Sequence, residues 1–564
     1  MGRARHRARE QKRIFVPLVE NSLGRRVLRA GLVVGAAHLL FKLAGLIQVL
    51  AMGRTLEPWE YDVVYGFAFE NCVFAIFICF EEVVPTAFLP VFMRTMKDHG
   101  EERAQRFAGK FLTLQFTLLL GIFLLLMAYP EWVVRIWTKW RPDTAPEHFA
   151  LGVRSVRGLA PALFGLSLGA TTYMMLNGHK RFFFAAFGDA AWKFVAVAVL
   201  CAGVAVGSQG MARFLILGLV AGSVCKILAH LWGLRDKLRF VRPSVNWNDP
   251  LMRQAVWLAL PLIAGIVLAK VRDNLNYVYV LSNLPDEGLI QANSIGRKLQ
   301  LTFHFIVPMA LAKAVFPFFC ALVDQRDSRG IGEFVTRCGR MMLGLFYPMC
   351  GLVAVIAAPL VALMFKGEKF GDANVLWTSV SMACYMFVLP ALALEAVLMQ
   401  AFMANRRVFS MTALGVLFSA MSVGLSFLGL YWFRETPVMV LGFIAGGFAL
   451  TRLLKTAVMA WMLRQNAPVF PVAETLGFLA RVVACTVLAA ACAWLALRGT
   501  DAALSFAPAL PEKILQALRV CAGGGAGALA TLGGFWVLRI REPFDMISWS
   551  ILSIKRGKIA RERE

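Results

Sequence analysis

Charged residues are scarce in this sequence. Asp, Glu, Lys and Arg make up 16% of its 564 residues, while hydrophobic residues make up 59%. Soluble domains usually carry about 25% charged residues, so this composition excludes a soluble globular protein and indicates a polytopic membrane protein. Acidic residues are the scarcer kind, which leaves a net charge of +25. The basic residues form short clusters between apolar segments, so we expect no nucleic-acid partner.

The motifs of soluble enzymes are also missing. The sequence contains no Walker loop, no HExxH, no GxSxG and no nucleotide-binding glycine loop after a strand. Its eleven cysteines include no CxxC pair, and nearly all lie in apolar stretches. Packing is the default role of such cysteines. We therefore expect no catalytic residues, no metal site and no cofactor.

Long apolar stretches are what the sequence does have, and each run of about 20 residues can cross a membrane. Fourteen helical spans are predicted near 27–53, 60–93, 104–129, 150–177, 182–206, 211–232, 254–281, 287–322, 334–365, 374–403, 407–432, 437–463, 475–497 and 514–538. Lys and Arg concentrate in the segments on one side of these spans, and the positive-inside rule places that side and both termini in the cytosol. Pro85 and Pro308 are expected bend points.

Short matches at nearly one offset indicate an internal duplication. Residues 87–92 (AFLPVF) resemble 314–319 (AVFPFF), and the basic pair at 180–181 resembles the pair at 406–407. The offset covers six spans, an even number, so the two copies have the same orientation in the membrane, as in transporters built from parallel repeats.

This pattern predicts an all-α fold of two six-helix lobes and two extra C-terminal helices. The predicted segments are a basic N-terminal segment (1–26), an N-lobe (27–232), a basic linker (233–253), a C-lobe (254–463), a final helix pair (464–538) and a basic tail (539–564). The basic clusters near 235–242 and 555–563 are expected to contact anionic lipid headgroups. Trp132, Trp137 and Trp140 are interpreted as an interfacial belt.

Four cations lie deep in apolar stretches: Lys42, Lys270, Arg272 and Arg297. A charge at mid-membrane costs about 2.5 to 3.5 kcal/mol on insertion scales, so such residues usually face a wet cavity or a charged ligand. Lys42 and Lys270 lie on the opening helices of the two repeats and Arg297 on the next helix. We therefore expect them to converge on a central site for a ligand with phosphates or carboxylates.

Each buried charge also has a structural interpretation. Arg272 can pair with its neighbour Asp273, whereas Lys42 and Arg297 have no adjacent carboxylate. Intramembrane carboxylates are candidates for proton or cation coupling or gating. The candidates of this kind are Asp62, Glu70, Glu81, Glu82, Asp189, Asp273 and Glu395. For Asp189, an ion pair with Lys193 at i, i+4 is the favoured interpretation. The cations predicted to be interface or packing residues are Lys226, Arg452 and Lys455.

Three segments resemble a known family. Residues 41–54 (FKLAGLIQVLAMGR), Asp62 and residues 81–92 (EEVVPTAFLPVF) are similar to the first hairpin of MurJ/MviN-type lipid II flippases. These flippases belong to the multidrug/oligosaccharidyl-lipid/polysaccharide exporter superfamily. Residues 295–317 resemble the family's eighth helix and place Arg297 on its functional arginine. The resemblance also implies that Asn276 matches a family asparagine and that the final helix pair guides a polyprenyl tail.

The sequence departs from the family at several positions. The family's first-helix arginine is Lys42 here, which keeps the charge but loses the planar fork. A second first-helix arginine falls on Gln48, a helix-two arginine falls near Ala75 or Ile76, and an acidic position on helix eight falls on Gln300. These departures, together with the extra cations Lys270 and Arg272, predict a cavity whose positive charge is redistributed.

The resemblance implies a flippase that moves an undecaprenyl-pyrophosphate-linked peptidoglycan precursor across the bacterial cytoplasmic membrane by alternating access. The residues expected to bind it are Lys42, Gln48, Lys270, Arg272, Asn276 and Arg297. Coupling to an ion gradient or to the membrane potential is left open, and peptidoglycan synthesis proteins are expected partners. Two alternatives stay open: a flippase for O-antigen or exopolysaccharide intermediates, and a non-transporting scaffold of a cell-envelope synthesis complex.

Overall fold

The computed structural model describes residues 43–208, 210–244, 249–306, 319, 323, 325, 327–404, 408–504 and 511–544. The described residues form α-helices with short π and 3₁₀ segments, and none of them lies in a β-strand. The helices are α1 Leu43–Thr55, α2 Pro58–His99, α3 Glu101–Ala128, α4 Pro130–Trp137, α5 Pro146–Leu159, α6 Ala162–Gly178, α7 Phe182–Ala205, α8 Met211–Leu234, α9 Pro250–Tyr279, α10 Leu289–Ile306, α11 Ser328–Phe365, α12 Asp372–Met386, α13 Leu389–Ala404, α14 Val408–Trp432, α15 Pro437–Arg464, α16 Val472–Leu504 and α17 Glu512–Val537.

Eleven candidate membrane spans are present among these residues, or twelve if α5 and α6, which meet at a bend of 43°, count as one. The twelve correspond to twelve of the fourteen predicted spans. The first and eighth predicted spans run beyond the described residues, and α1 and α10 are their described parts. The all-α polytopic fold is thus confirmed, while the count of fourteen stays a prediction.

Helix α2 begins at Pro58, where the missing N–H of proline costs no helical hydrogen bond. Glu57 and Glu60 form a reciprocal capping box across this start. The helix then widens into a π-helix over Tyr61–Val73, almost wholly buried, and continues as an α-helix through both Pro85 and Pro90. A bend at a proline does occur at Pro161, which lies between α5 and α6. Pro308 lies outside the described residues.

The described helices pack in three groups. Helices α2 to α8 contact one another, α9 to α15 form a second set, and α16 and α17 pack as a pair against α11. Helix α9 also packs along α2 of the first set, where Ala259 meets Val83 and Ala87. A Cβ on Gly523 of α17 would lie 3.0 Å from Ile356 of α11 and 3.1 Å from Leu497 of α16. Small residues therefore bring the last two helices close to α11. The lobe boundaries themselves stay a prediction.

Two ends of the bundle are distinguished below. The linker side carries residues 235–244 and 249, and the far side carries the loops at 56–57, 280–288 and 366–371. On the linker side, Arg181 binds both carboxylate oxygens of Asp236 at 2.5 and 2.6 Å. This pair lowers the pKa of Asp236 to about 2. The linker is therefore anchored to the helix ends by ion pairs.

The aromatic belt is only partly as predicted. Trp132 is 66% exposed, as an interfacial residue should be. Trp140 is buried and packs edge-on against Phe67 of α2, with ring centroids 5.7 Å apart, and against His148. The interpretation of Trp140 as a belt residue is therefore wrong, because the turn after α4 directs it into the core.

Candidate functional site

Asp273 lies between two arginines at the junction of α9 and α10. Arg272 Nε and Nη2 donate to Asp273 Oδ1 at 2.9 and 2.5 Å, and Arg297 Nη2 donates to Asp273 Oδ2 at 3.3 Å. The carboxylate of Asp273 is 12% exposed, so these bonds form out of bulk water. Two of the predicted cations therefore share one carboxylate, and the trio keeps one net positive charge.

Aromatic and amide groups surround the trio. The Arg297 guanidinium lies 4.7 Å from the ring centre of Tyr277, within the range of a cation–π contact. Asn276 Nδ2 donates to Ser422 Oγ at 3.1 Å, while Asn276 Oδ1 has no partner among the described residues. Three of the residues predicted from the sequence to bind the ligand lie together on α9 and α10: Arg272, Asn276 and Arg297.

Three other predicted binding residues lie elsewhere or outside the described chain. Lys270 is half-buried one helical turn before Asp273 and interacts electrostatically with Asp273 and with Glu82 of α2. Gln48 is buried on α1, and its Nε2 has no partner among the described residues. Lys42 lies outside the described residues. Their roles in binding stay predictions.

The predicted coupling residues on α2 have three different environments. Asp62 accepts the backbone N–H of Gly288 at 2.9 Å and of Gln291 at 2.6 Å, so it caps the start of α10. Glu70 accepts from Ser294 Oγ at 2.8 Å and pairs with Lys298 at 3.2 Å. Glu81, in contrast, is exposed on the surface of this helix.

Asp62 and Glu70 therefore join α2 to α10 near the far side, and we call these contacts the far-side latch. The backbones also approach closely here, since a Cβ on Gly66 would lie 2.6 Å from Ile290 Cγ2. Arg54, just after the predicted first span, donates to the carbonyl of Met364 at 2.6 and 2.9 Å and adds a further contact on this side. A change that loosens the latch should open the far side.

Asp62→Asn is expected to raise the far-side opening rate about tenfold. Asparagine keeps one acceptor of the two, and a hydrogen bond to a charged group contributes about 1.5–3 kcal/mol. Ile290→Cys provides a reporter, because Ile290 is buried between α2 and α10. The measurement is the rate at which a membrane-impermeant thiol reagent labels residue 290, followed by mass spectrometry. Asp286→Asn, an exposed acid in the adjacent loop, should leave this rate unchanged; equal rates in both variants would contradict the latch.

Three cations were predicted to be interface or packing residues, and the structure gives each of them a carboxylate partner. Glu395 of α13 accepts from Lys455 at 2.6 Å and from Arg452 at 3.2 and 3.3 Å. Lys226 of α8 is buried and pairs with Asp189 of α7 at 2.7 Å. The i, i+3 spacing of Arg452 and Lys455 was the available signal, since it puts both on one helix face.

The charged side chains of this region pair mainly with one another. Among the residues described, no group of three or more His, Cys, Asp and Glu could hold a metal ion. The described charged side chains form two ion-pair clusters, each of two cations and one carboxylate: Arg272, Arg297 and Asp273 on α9 and α10, and Arg452, Lys455 and Glu395 on α13 and α15. Such clusters suit a transporter that holds an anionic ligand.

The described helices have the fold of transporters of the multidrug/oligosaccharidyl-lipid/polysaccharide superfamily. A solved structure titled "Lipid II flippase MurJ, inward closed conformation" superposes with a TM-score of 0.67 at 14% identity, covering 90% of this chain and 99% of that one. An inward-facing multidrug resistance MATE transporter superposes with a TM-score of 0.60 at 13% identity, covering 76% and 95%. At these identities the likeness shows the fold.

The sequence profile described as "Lipid II flippase MurJ" matches residues 62–510. The chain therefore belongs to the MurJ lipid II flippase family. A probable lipid II flippase MurJ of Rhizobium meliloti (strain 1021) is 25% identical over 384 residues, which are 66% of this chain and 69% of that protein. A probable MurJ of Bdellovibrio bacteriovorus is 21% identical over 406 residues, covering 66% and 71%. The family resemblance read from the sequence is confirmed.

Proposed function

We propose that this protein is a flippase that carries lipid II, an undecaprenyl-pyrophosphate-linked peptidoglycan precursor, across the bacterial cytoplasmic membrane. Membership of the MurJ family supports the class of activity. That the ligand is an anion is inferred from the surplus of positive charge at Arg272, Asp273 and Arg297. A pyrophosphate supplies the negative charge that this surplus lacks.

In this proposal the two lobes alternate about the site. With the linker side in the cytosol, the latch at Asp62 and Glu70 closes the periplasmic side while the pyrophosphate is loaded. Breaking the latch and separating α2 from α10 then releases the ligand outward. No bond is made or broken, and the direction of net transport follows from the differential affinity of the two states and from any coupled gradient. The prenyl tail stays in lipid along α16 and α17.

Several further assignments belong to the same proposal. Both termini lie in the cytosol, where the basic linker and tail contact anionic lipid headgroups. No cofactor takes part, and an ion gradient or the membrane potential drives transport. Peptidoglycan synthesis proteins are the expected partners in the membrane. On the linker side, Lys110 of α3 pairs with Asp249 at the start of α9. Burial raises the pKa of Asp249, but the hydrogen bonds from Lys110 and from the Leu251 N–H outweigh burial, so this pKa lies below its usual value.

Complementation tests the function directly. The full-length chain is expressed in a strain whose only lipid II flippase can be switched off, and growth and cell shape are followed after depletion. Rescue is the expected result. Absence of rescue at normal membrane levels, combined with rescue of a strain lacking an O-antigen flippase, would move the substrate to another lipid-linked sugar. Rescue of neither strain would contradict transport and favour a scaffold.

A further inference from the structure

The second group of helices encloses a cavity that shares only Arg272 with the proposed transport site. Its volume is about 10 Å³, room for about one water-sized sphere. It is lined from α9 by Arg272, from α14 by Gly415, Phe418, Ser419 and Ser422, and from α15 by Phe448, Thr451, Arg452 and Lys455. Of the α10 side chains that the structure describes, neither Arg297 nor any other lines it. Pockets for drug-sized ligands measure about 300–1,000 Å³, so a lipid-linked sugar headgroup does not fit.

Three of the lining side chains are cationic and largely shielded from solvent. The side chains of Arg272, Arg452 and Lys455 are 11%, 22% and 8% exposed. The nearest carboxylates are already engaged: Asp273 is shared by Arg272 and Arg297, and Glu395 by Arg452 and Lys455. Four cations on two carboxylates leave two uncompensated positive charges. Such an excess is costly away from water unless a counter-charge is present.

The neutral groups in the wall suit an anion. Ser419 Oγ accepts from Arg272 Nη1 at 3.0 Å, and Ser422 Oγ accepts from Asn276 Nδ2 at 3.1 Å. Neither hydroxyl donates to another described residue, so each has a hydrogen left for an acceptor in the cavity. Ser422 is only 1% exposed, which places this donor in the interior of the lobe.

The ring of Phe448 lies in the cavity wall, close to the trio of Arg272, Asp273 and Arg297. The guanidinium carbons of Arg272, Arg297 and Arg452 lie 5.9, 5.8 and 5.2 Å from its centre. The ring therefore contacts cations from both sites. Its quadrupole offsets part of the repulsion among them but supplies no net negative charge.

We propose that this cavity is a binding site for a small inorganic anion of the size of chloride. The anion contacts Arg272, Arg452 and Lys455 and accepts hydrogen bonds from Ser419 and Ser422. It neutralises the buried positive charge of the second lobe and is separate from the lipid-linked substrate. This site does not depend on the transported lipid being lipid II.

Equilibrium binding of radioactive chloride to the purified full-length protein in detergent tests this site. The protein is first exchanged into gluconate at constant ionic strength, because gluconate is too large for the cavity. Saturable binding of about one chloride per chain is expected, with competition by bromide but not by gluconate. Lys455→Gln should weaken binding at least tenfold. Ser419→Ala, which changes no ion pair, should weaken it severalfold and covers the case in which the lysine variant fails to fold.

Lys226→Gln is the matched control, since it makes the same change at a buried, paired lysine of the first group of helices. It should bind chloride like the wild type. The site is overturned if the wild type shows no saturable binding, or if gluconate competes as well as bromide. Unchanged binding by both Lys455→Gln and Ser419→Ala would also overturn it. Loss of binding in Arg297→Lys with full retention in Lys455→Gln would place the anion at the trio of Arg272, Asp273 and Arg297 instead.

Discussion

Arg297→Ala is expected to abolish rescue of a flippase-depleted strain and to lower lipid II transport at least about thirtyfold. Arg297 is the cation of the trio that belongs to α10, and it contacts both Asp273 and the ring of Tyr277. Truncating one partner of a buried charge pair costs about 2–5 kcal/mol, and each 1.4 kcal/mol is a factor of ten. The change also removes the positive charge available to a pyrophosphate. Growth after depletion and the appearance of lipid II on the outer face of spheroplasts are the measurements.

Two variants control this experiment. Arg297→Lys keeps the charge but loses the planar fork and its stacking, so partial rescue is expected. Arg519→Ala removes an arginine of α17 that pairs with Asp501 away from the trio, and full rescue is expected. If Arg297→Ala rescues like the wild type at equal membrane levels, Arg297 does not handle substrate.

Glu395→Gln is expected to destabilise the protein by about 3–5 kcal/mol. Glu395 is buried between Arg452 and Lys455, and removal of its charge leaves two cations without a counter-charge in the helix interior. Removal of one partner of a buried ion pair typically lowers the free energy of unfolding by about 3–5 kcal/mol. A lowered thermal unfolding temperature in detergent, or loss of folded protein from the membrane, is the measurable result.

The matched control is Glu474→Gln. Glu474 pairs with Arg340 at 3.1 Å but is 69% exposed, and a surface pair contributes about 1 kcal/mol or less. The double variant Glu395→Gln with Lys455→Gln should recover part of the lost stability, because one of the two unpaired cations is gone. An unfolding temperature of Glu395→Gln equal to that of the wild type would show that Glu395 is not the counter-charge of this lobe.

The partners of the acidic residues in the far-side latch could not be predicted from the sequence. Asp62 stood out as an acidic residue near the end of a span, which suggested coupling or gating. Its actual partners are the backbone N–H groups of Gly288 and Gln291. A helix N-terminus binds any carboxylate that packs against it, so the sequence of α10 holds no sign of the partner. Glu70 and Lys298 likewise meet only because α2 lies against α10.

The pairing of the cations shows the same limit. Arg272 and Asp273 are adjacent in sequence, and their ion pair was a stated alternative. Arg297 seemed to have no carboxylate because Asp273 lies on the preceding helix and approaches it only through the turn between α9 and α10. Arg452 and Lys455 were predicted to be interface or packing residues, and their carboxylate partner could not be read from the sequence because Glu395 lies two helices earlier.

The sequence by itself determined the class of this protein, the positions of most spans, the excess of positive charge and the family. Transfer of an apolar run into a bilayer is a sum over neighbouring residues, so it can be read along the chain. The tertiary structure alone decided which cations are neutralised, which remain in surplus and where a cavity lies beside them. The charge of a site depends on which helices meet, and Coulomb energy in a shielded interior changes steeply over a few ångströms. Those distances are set by packing.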